Sequence, residues 1–520
     1  MHQSKSAIQN KKCNQKNIIM KQIKKLLVII FVLFFLQSVK AQFPDDIQYQ
    51  SIAPNGLAMP DLGDSVIDNS VSNDIEITRI TEVFNYVDDD GNPQVWYPTH
   101  EYSKTQVWNA DQTLYKISSW KVFDATTYQE TRDLSSLYPS YWSNTDADAI
   151  WSFRQNGDVK KYIISTDVTQ TVASIAGYEF IQLGPGEGNI DKNDHYVALV
   201  GKKANGAGDL DVLIFDLQTL QVVHTETFAG AWGNAGVGFP EYIDWVSISQ
   251  SGNYVVIMWN HNTTSENNPY NGHYGVEVYN TLDMQYQNRI MSYGNHGDLG
   301  YAVDGGEVLV QFYGWYGGGT LYMHKLDGSG STVLTTNADF GVAGHVSCRN
   351  INRPGWAYIT HSLAAESGQM VAVKLDDSGL VEHFGHHFSS GTSYAQASMA
   401  VASPNGDKIC FKSDFGTGPN TNPSVSYSFI AHLANALSIE EDQLIKVRLY
   451  PNPANDFIKI ESEKNIKNIS IYNITGQIIR TLQVVNLNYI EVDVNNYAKG
   501  LYFLKVSTGN GTTTKKIIIE

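Results

Sequence analysis

The strongest constraint on the fold is a pattern that recurs seven times between about residues 70 and 435. Each copy has a polar approach, a short strand, a turn rich in Asp, Asn or Gly, and further strands that end in another polar turn. The first turns are about 35–58 residues apart. They fall near Asp111, Asp146, Asn193, Ser251, Asp304, Arg353 and Asn405. A chain of this kind has to assemble many small, similar sheets.

About four strands in every 40–50 residues is the spacing of a β-propeller, in which radial repetition leaves few long exposed strand edges. We therefore predict an all-β chain with a seven-bladed β-propeller over residues 71–435, with six or eight blades as variants. Residues 75–87 are predicted to close the ring by completing the last blade. The competing architecture is a two-sheet sandwich. Residues 247–256 and 402–411 resemble the Ser-Pro-Asp-Gly blades of TolB-like and WD40-like propellers.

The N-terminus predicts secretion. Three lysines precede an 11-residue apolar run, Leu26 to Leu36, and a small residue, Ala41, follows. This order is typical of a signal peptide over residues 1–41, with Met20 as an alternative start. A transmembrane anchor is the competing interpretation, but the run is short for a bilayer. Residues 42–70 then form a segment that leads into the propeller. Without residues 1–41 the chain carries 28 basic and 53 acidic side chains. That acidity argues against nucleic acid and anionic membranes as partners.

The last 80 residues change character. Residues 438–520 contain Tyr450-Pro451-Asn452-Pro453 and then short alternating strands with turns at Gly476, Gly500 and Gly511, which predicts a small antiparallel sandwich. The segment resembles the type A C-terminal sorting domain of the type IX secretion system of Bacteroidetes. That resemblance implies recognition by the secretion machinery, export through the outer membrane, and a secreted or cell-surface location. It says nothing about chemistry.

Candidate site residues follow from the propeller itself. The innermost strand of each blade lines the central channel, so residues that lead into these strands become neighbours at one mouth. Read across the repeats, these residues form a polar set. Loops rich in aromatic residues add two candidates for substrate binding, Trp315 and Trp356. The polar set comprises His100, Tyr141, Glu187, Asp244, His296, Asp298, His345, Arg349, Tyr394 and Gln396.

A weaker resemblance suggests what this ring does. Oligogalacturonate lyases are propellers with a channel metal held by His and Gln side chains, and here His296, His345 and Gln396 occupy similar places. The resemblance implies a divalent cation, manganese or calcium, and β-elimination on a uronate-containing polysaccharide. Arg349 would then bind the uronate carboxylate, with His100 as the candidate base and Tyr394 as a further catalytic candidate. Glu187, Asp244 and Asp298 would contact substrate.

Other interpretations stay open. A non-catalytic propeller would bind a glycan or a protein at the same mouth, and a glycoside hydrolase would use Glu187 and Asp244 as its carboxylate pair. Arg349 is equally suited to a buried structural role. Four groups of residues are assigned structural positions. Trp108, Trp142 and Trp245 are assigned to the core, and Asp111, Asp146 and Asp304 to turns. His383, His386 and His387 are assigned to a solvated loop, and Cys348 and Cys410 are assigned as separate buried thiols.

Overall fold

Short apolar stretches between polar turns form strands over most of the chain that the computed structural model describes. Five strands precede the first repeat: β1 (Ile47–Gln48), β2 (Ser65–Asp68), β3 (Ile75–Arg79), β4 (Phe84–Val87) and β5 (Pro93–Trp96). The described residues are 47–48, 56–71, 74–87, 91–118, 120–234, 236, 238–260, 272–295, 297–313, 319–335, 344–361, 368–390, 396–416, 426–434, 447–473, 478–508 and 511–519.

The repeats form seven small antiparallel sheets, which we call blades 1 to 7 in chain order. Blade 1 contains β6 (Leu114–Ile117), β7 (Lys121–Asp124) and β8 (Glu130–Asp133). Blade 2 contains β9 (Tyr141–Trp142), β10 (Ala149–Phe153), β11 (Asp158–Ile163) and β12 (Val168–Ser174). Blade 3 contains β13 (Tyr178–Leu183), β14 (Tyr196–Lys203), β15 (Leu210–Asp216) and β16 (Gln221–Phe228). A bridge between Trp108 and Tyr115 supplies the inner edge of blade 1.

The second half of the ring continues in the same order. Blade 4 contains β17 (Ile243–Ile248), β18 (Tyr254–Trp259), β19 (Val276–Asn280) and β20 (Tyr286–Met291). Blade 5 contains β21 (Gly297–Tyr301), β22 (Glu307–Phe312), β23 (Leu321–Lys325) and β24 (Ser331–Thr335). Blade 6 contains β25 (Gly344–Ser347), β26 (Trp356–His361), β27 (Gln369–Lys374) and β28 (Leu380–His386). Blade 7 contains β29 (Val401–Ala402), β30 (Lys408–Ser413) and β31 (Tyr427–Leu433).

The N-terminal strand β3 completes the ring, as predicted, but only residues 75–79 of the predicted 75–87 take part, since β4 pairs with β5 instead. β3 pairs antiparallel with β31, from Ile75 opposite Leu433 to Arg79 opposite Phe429, and β2 then pairs with β3. β1 adds to the outer edge of blade 6. Blade 7 is therefore built from the two ends of the propeller sequence.

The hydrophobic core lies in seven layers, each between consecutive blades. Blades 3 and 4 share one such layer, with Trp232 and Trp259 among its members. The last layer joins blade 7 to blade 1, where Cys410 and Ile430 pack with Trp108 and Tyr115. The other five layers join blades 1–2, 2–3, 4–5, 5–6 and 6–7. A closed sequence of pairwise layers is a seven-bladed propeller and excludes the two-sheet sandwich.

Central strands of the blades are apolar on both sides because each blade is covered by two neighbours. Every residue of β15 is buried, for example, although its sequence LDVLIFD contains two acids. The predicted core tryptophans Trp108, Trp142 and Trp245 are at most 4% exposed. Asp111, Asp146 and Asp304 accept hydrogen bonds from backbone N–H groups two residues later, as predicted for turns. Cys348 and Cys410 are separate buried thiols.

The C-terminal residues form a second compact unit, which begins after Ala434. Its strands are β32 (Val447–Tyr450), β33 (Phe457–Asn473), β34 (Ile478–Asp493), β35 (Gly500–Thr508) and β36 (Gly511–Ile519). The sequence suggested short alternating strands, but β33 and β34 are long and continue through shifts in register near Glu461 and Ile466. The first half of β33 pairs with β32 and the second half with β35. Isoleucine, leucine and valine side chains of these strands form the unit's own core.

Candidate active site at the channel mouth

Two predicted residues, Glu187 and Asp244, lie together with a lysine that the sequence analysis missed. The ammonium group of Lys104, which precedes blade 1, forms an ion pair with the Glu187 carboxylate of blade 3. The same nitrogen lies 4.4 Å from the ring centroid of Trp245, next to Asp244 at the start of blade 4. Lys104 therefore bridges segments that are far apart in the ring. We call Lys104, Glu187 and Asp244 the mouth cluster.

Glycines hold Glu187 close to blade 4. The segment Gly184-Pro185-Gly186-Glu187-Gly188 packs so tightly on β17 that a Cβ atom at Gly184 or Gly188 would collide with the carbonyl oxygen of Val246. Gly184 also has a φ of +39°, which favours glycine. The Asn189 N–H then donates to the Ser247 hydroxyl at 3.1 Å. This local geometry fixes the position of Glu187 with respect to Asp244.

The electrostatics of the mouth cluster separate its two carboxyl groups. Asp244 is exposed to solvent, yet the protein around it raises the pKa of its carboxyl group by desolvation. The nearby Glu187 carboxylate raises that pKa further, while Lys104 lowers it in part. A carboxyl group with a raised pKa beside a second carboxylate that is ion-paired is the combination expected for an acid and its partner.

His345 and Tyr102 extend the cluster toward blade 6. His345 lies on β25, is only 3% exposed, and contacts the ring of Tyr102 edge to face, with 5.4 Å between the ring centroids. Tyr102 is half-buried, and its ring centroid lies 5.7 Å from the Lys104 ammonium nitrogen. The aromatic ring thus connects a predicted metal ligand to the mouth cluster through packing.

The position of His100 does not suit a catalytic base. Its side chain is 2% exposed, and its Nε2–H donates to the carbonyl oxygen of Met399 at 2.7 Å. Burial lowers the pKa of His100 to about 3, so the imidazole is neutral. Its backbone N–H also donates to the Ser428 hydroxyl of blade 7. His100 therefore anchors the segment that carries Lys104.

Arg349 and Asp298 form a buried ion pair rather than a substrate clamp. Two guanidinium nitrogens of Arg349 each lie 2.9 Å from an Asp298 carboxylate oxygen, and one also donates to the Leu299 carbonyl. Asp298 accepts another hydrogen bond from the Cys348 N–H. Arg349 is 4% exposed and Asp298 is 1% exposed. Because their bonds are used within the protein, the geometry favours the structural role for Arg349.

Two glutamines strengthen this region across the ring. Gln250 of blade 4 donates to the carbonyl oxygens of Leu299 and Cys348, in blades 5 and 6. Gln106, before blade 1, donates to the carbonyls of Arg349 and Ala402, in blades 6 and 7. We call Gln106, Gln250, Arg349 and Asp298 the channel plug.

A cleft of about 380 Å³, including its open side, lies against the channel plug. Its one charged side chain is Arg349, which Asp298 neutralises, and its one other titratable side chain is Tyr141. The remaining lining residues are Thr105, Gln106, Trp142, Asn144, Asn189, Ile190 and Ile351.

The predicted metal ligands do not fit a metal ion within the part of the chain that the structure describes. Gln396 is 2% exposed and donates its amide N–H to the Asp414 carboxylate at 2.9 Å. His345 packs on Tyr102, and His296 lies outside the described residues. Among described residues, no three His, Cys, Asp or Glu side chains converge as a metal site requires.

The remaining candidates divide between core and undescribed positions. Trp356 is 9% exposed and packs in the layer between blades 6 and 7, with the Arg353 guanidinium 4.4 Å from its ring centroid. Tyr141 lies half-buried on β9. Tyr394 and Trp315 lie outside the described residues, so their roles stay predictions.

The assignment of three histidines to a solvated loop was wrong. His383, His386 and His387 are at most 2% exposed, and the first two lie on β28. The His386 ring contacts the Asp68 carboxylate at 2.8 Å, and Gln369 is hydrogen-bonded to His383 at 3.0 Å. The neighbouring glycine and serine residues suggested a loop. In the structure LVEHFGH is a strand, and its alternate residues face opposite sides that are both covered.

Comparison with known proteins identifies the second unit. Residues 448–520 match the family model of the secretion system C-terminal sorting domain. This segment is a secretion sorting domain. The sorting domain directs the chain to type IX secretion, so the protein is exported and is secreted or held at the cell surface. In the described part of the chain we find no helix with the length and apolar character of a membrane span.

A short stretch of the chain is also similar to one other protein, and most of the chain is similar in fold to two solved structures. The chain is 34% identical over 87 residues to beta-agarase A of Zobellia galactanivorans, which is 16% of this chain and 15% of that protein. An oligogalacturonate lyase from Vibrio parahaemolyticus has a TM-score of 0.46 at 11% identity, covering 75% of this chain and all of that one. An oligogalacturonate lyase in complex with manganese has a TM-score of 0.49 at 11% identity, covering 75% and 99%. These likenesses carry no argument about activity.

Proposed function

We propose that the propeller is a carbohydrate-active domain that hydrolyses a glycan at the channel mouth. The observation that carries this proposal is the placement of Asp244 beside the ion-paired Glu187, where desolvation and the second carboxylate raise the pKa of Asp244. Export by the sorting domain supports it, because an exported protein meets extracellular glycans.

In the proposed reaction Asp244 is the general acid. Its protonated carboxyl group donates a proton to the glycosidic oxygen as the bond to the anomeric carbon breaks. Glu187 is the second carboxylate. It either removes a proton from the attacking water or forms a bond to the anomeric carbon that water then breaks, and the distance between the two carboxyl groups decides which. Lys104 orients Glu187 through their ion pair.

A second candidate is the β-elimination suggested by the sequence. One observation favours it: Lys104 is the cation of the mouth cluster, and a uronate carboxylate that displaced Glu187 would pair with its ammonium group. Two observations oppose it, because Arg349 is taken by Asp298 and because the mouth cluster adds two acidic groups to an acidic chain.

One experiment separates the two reactions. The full-length protein is incubated with neutral and uronate-containing polysaccharides, with and without a chelator, while reducing ends and the ultraviolet absorbance of unsaturated uronyl ends are followed. Hydrolysis predicts new reducing ends without unsaturation, and no effect of the chelator. Unsaturated uronyl ends would establish the lyase reaction. If no substrate gives a product, the remaining interpretation is a propeller that binds a glycan without cleaving it.

Matched variants assign the hydrolysis to the mouth. Glu187→Gln and Asp244→Asn should abolish most of the activity. Glu179→Gln is the control, because Glu179 also lies in blade 3 and pairs with Lys202 at 2.9 Å, away from the mouth cluster. Equal activity in all three variants would contradict the proposed site.

A further inference from the structure

Four aromatic side chains form a continuous row beside blade 1. Phe84 on β4 contacts Trp96 on β5 edge to face at 6.1 Å between centroids. Trp96 stacks on Trp120 of blade 1 at 5.4 Å with 17° between the ring planes. Trp120 contacts Tyr138 edge to face at 5.5 Å. We call these four residues the aromatic row.

The aromatic row is open to solvent. Phe84 is 45% and Tyr138 is 48% exposed, and Val95 beside them is 54% exposed. Trp96 and Trp120 are partly exposed, whereas the other tryptophans that the structure describes are at most 9% exposed. A contiguous exposed apolar surface of this kind marks a binding site more often than chance.

Charges beside Phe84, at one end of the row, favour an uncharged ligand. Lys121 lies 5.1 Å from the Phe84 ring centroid, but its ammonium group is paired with Glu130 at 2.8 Å and with Asp133 at 3.4 Å. The cation is therefore outnumbered by carboxylates within its own cluster. A polyanionic chain would meet repulsion here, whereas the hydroxyl groups of a neutral sugar would find carboxylate acceptors beside the rings.

Aromatic faces suit such a sugar because they carry partial negative charge. The weakly positive C–H groups on one side of a pyranose ring therefore pack on them, while the hydroxyls at the ring edge make hydrogen bonds. We propose that the aromatic row is a binding platform for a neutral glycan chain, separate from the channel mouth. This inference is independent of the proposed reaction at Glu187 and Asp244.

Tryptophan fluorescence tests the platform directly, because Trp96 and Trp120 are the partly exposed tryptophans of the described chain. Full-length protein carrying Trp315→Phe, which removes the tryptophan outside the described residues, is titrated with neutral oligosaccharides of glucose, galactose, mannose and xylose, and with oligogalacturonate. We expect at least one neutral oligosaccharide to change the emission saturably, and oligogalacturonate to bind more weakly. Glu179→Gln, which lies outside both the aromatic row and the mouth cluster, should leave the affinity unchanged.

Substitution of the row should weaken binding. Tyr138→Ala should reduce the affinity roughly tenfold, the effect expected for truncating an aromatic anchor. Tyr286→Ala is the matched control, since Tyr286 is 50% exposed on blade 4 and should leave the affinity unchanged. The proposal is overturned if no neutral sugar binds, if Tyr138→Ala and Phe84→Ala both bind like the parent, or if sedimentation shows that the row joins two copies of the chain.

Discussion

Two ion pairs between distant residues of the propeller differ in what surrounds them. Arg349 and Asp298 are both almost fully buried, meet at two points, and use their remaining hydrogen bonds on the backbone. Lys104 is buried to a similar degree, but its partner Glu187 is 29% exposed and lies beside the solvent-exposed Asp244. The first pair is saturated by its own protein. In the second pair Glu187 keeps a solvent-exposed side that a ligand can reach, and this difference separates a structural ion pair from a candidate site.

The largest effect should come from breaking the saturated pair. Arg349→Met leaves the Asp298 carboxylate buried without its cation, which should reduce the free energy of unfolding by about 3–5 kcal/mol. Lys104→Met is the control, and should cost about 1 kcal/mol because water can solvate Glu187. Chemical denaturation of both variants measures the difference. Equal losses would show that the two pairs have the same structural role.

The next effect concerns activity rather than stability. Glu187→Gln and Asp244→Asn should each lower kcat/KM on the hydrolysed glycan by about 10²–10⁴, the usual contribution of an acid or base. The melting temperature should change little, because both groups reach solvent. If a variant lost activity only in proportion to its loss of folded protein, the substituted residue, Glu187 or Asp244, would have a structural role and not a catalytic one.

A pH profile sharpens the electrostatic part of the comparison. If protonated Asp244 is the acid, kcat/KM falls as pH rises through its pKa. Lys104 lowers that pKa, so Lys104→Met should move the falling limb to higher pH, by about one unit at most. The activity of both proteins is measured across the same pH range. A limb that stays in place, or moves to lower pH, would rule out Asp244 as the titrating acid.

The smallest effect is on stability, and its sign is fixed by the same raised pKa. A folded-state pKa of Asp244 above the unfolded value means that its contribution to stability is present below about pH 3.9 and is lost as pH rises through the folded-state pKa. Asp244→Asn cannot ionise and should be more stable than the parent at pH 7 by a few tenths of a kcal/mol, since solvent screens the group. The gain should disappear near pH 3. If Asp244→Asn were less stable than the parent at pH 7, the raised pKa of Asp244 would be contradicted.

The fold was predictable because its signal is repeated. Seven similar strand patterns indicated the blade number, and the predicted closing segment 75–87 contains, at residues 75–79, the strand that pairs with β31. The ring also explains why Glu187 and Asp244 could be paired in advance, since residues leading into innermost strands meet at one mouth.

Side-chain partners were harder to predict, because they depend on which residues face each other across the ring. Lys104 was missed since it lies in an irregular segment four residues after His100, where the repeat pattern has not begun. Arg349 was ambiguous because its sequence gives no sign that Asp298 is 51 residues away in the chain and in contact in space. Helical or strand periodicity carries no information of this kind.

The closure of blade 7 has a consequence for how the chain matures. β3 and β31 lie at opposite ends of the propeller sequence, so their contact has a very large sequence separation and we expect it to form late in folding. Until they meet, the nascent ring has two unpaired strand edges, one at each end, that can template pairing with other chains. The exported protein is therefore most vulnerable to aggregation before its last blade closes, and a truncation that removed residues 65–79 would keep it in that vulnerable state permanently.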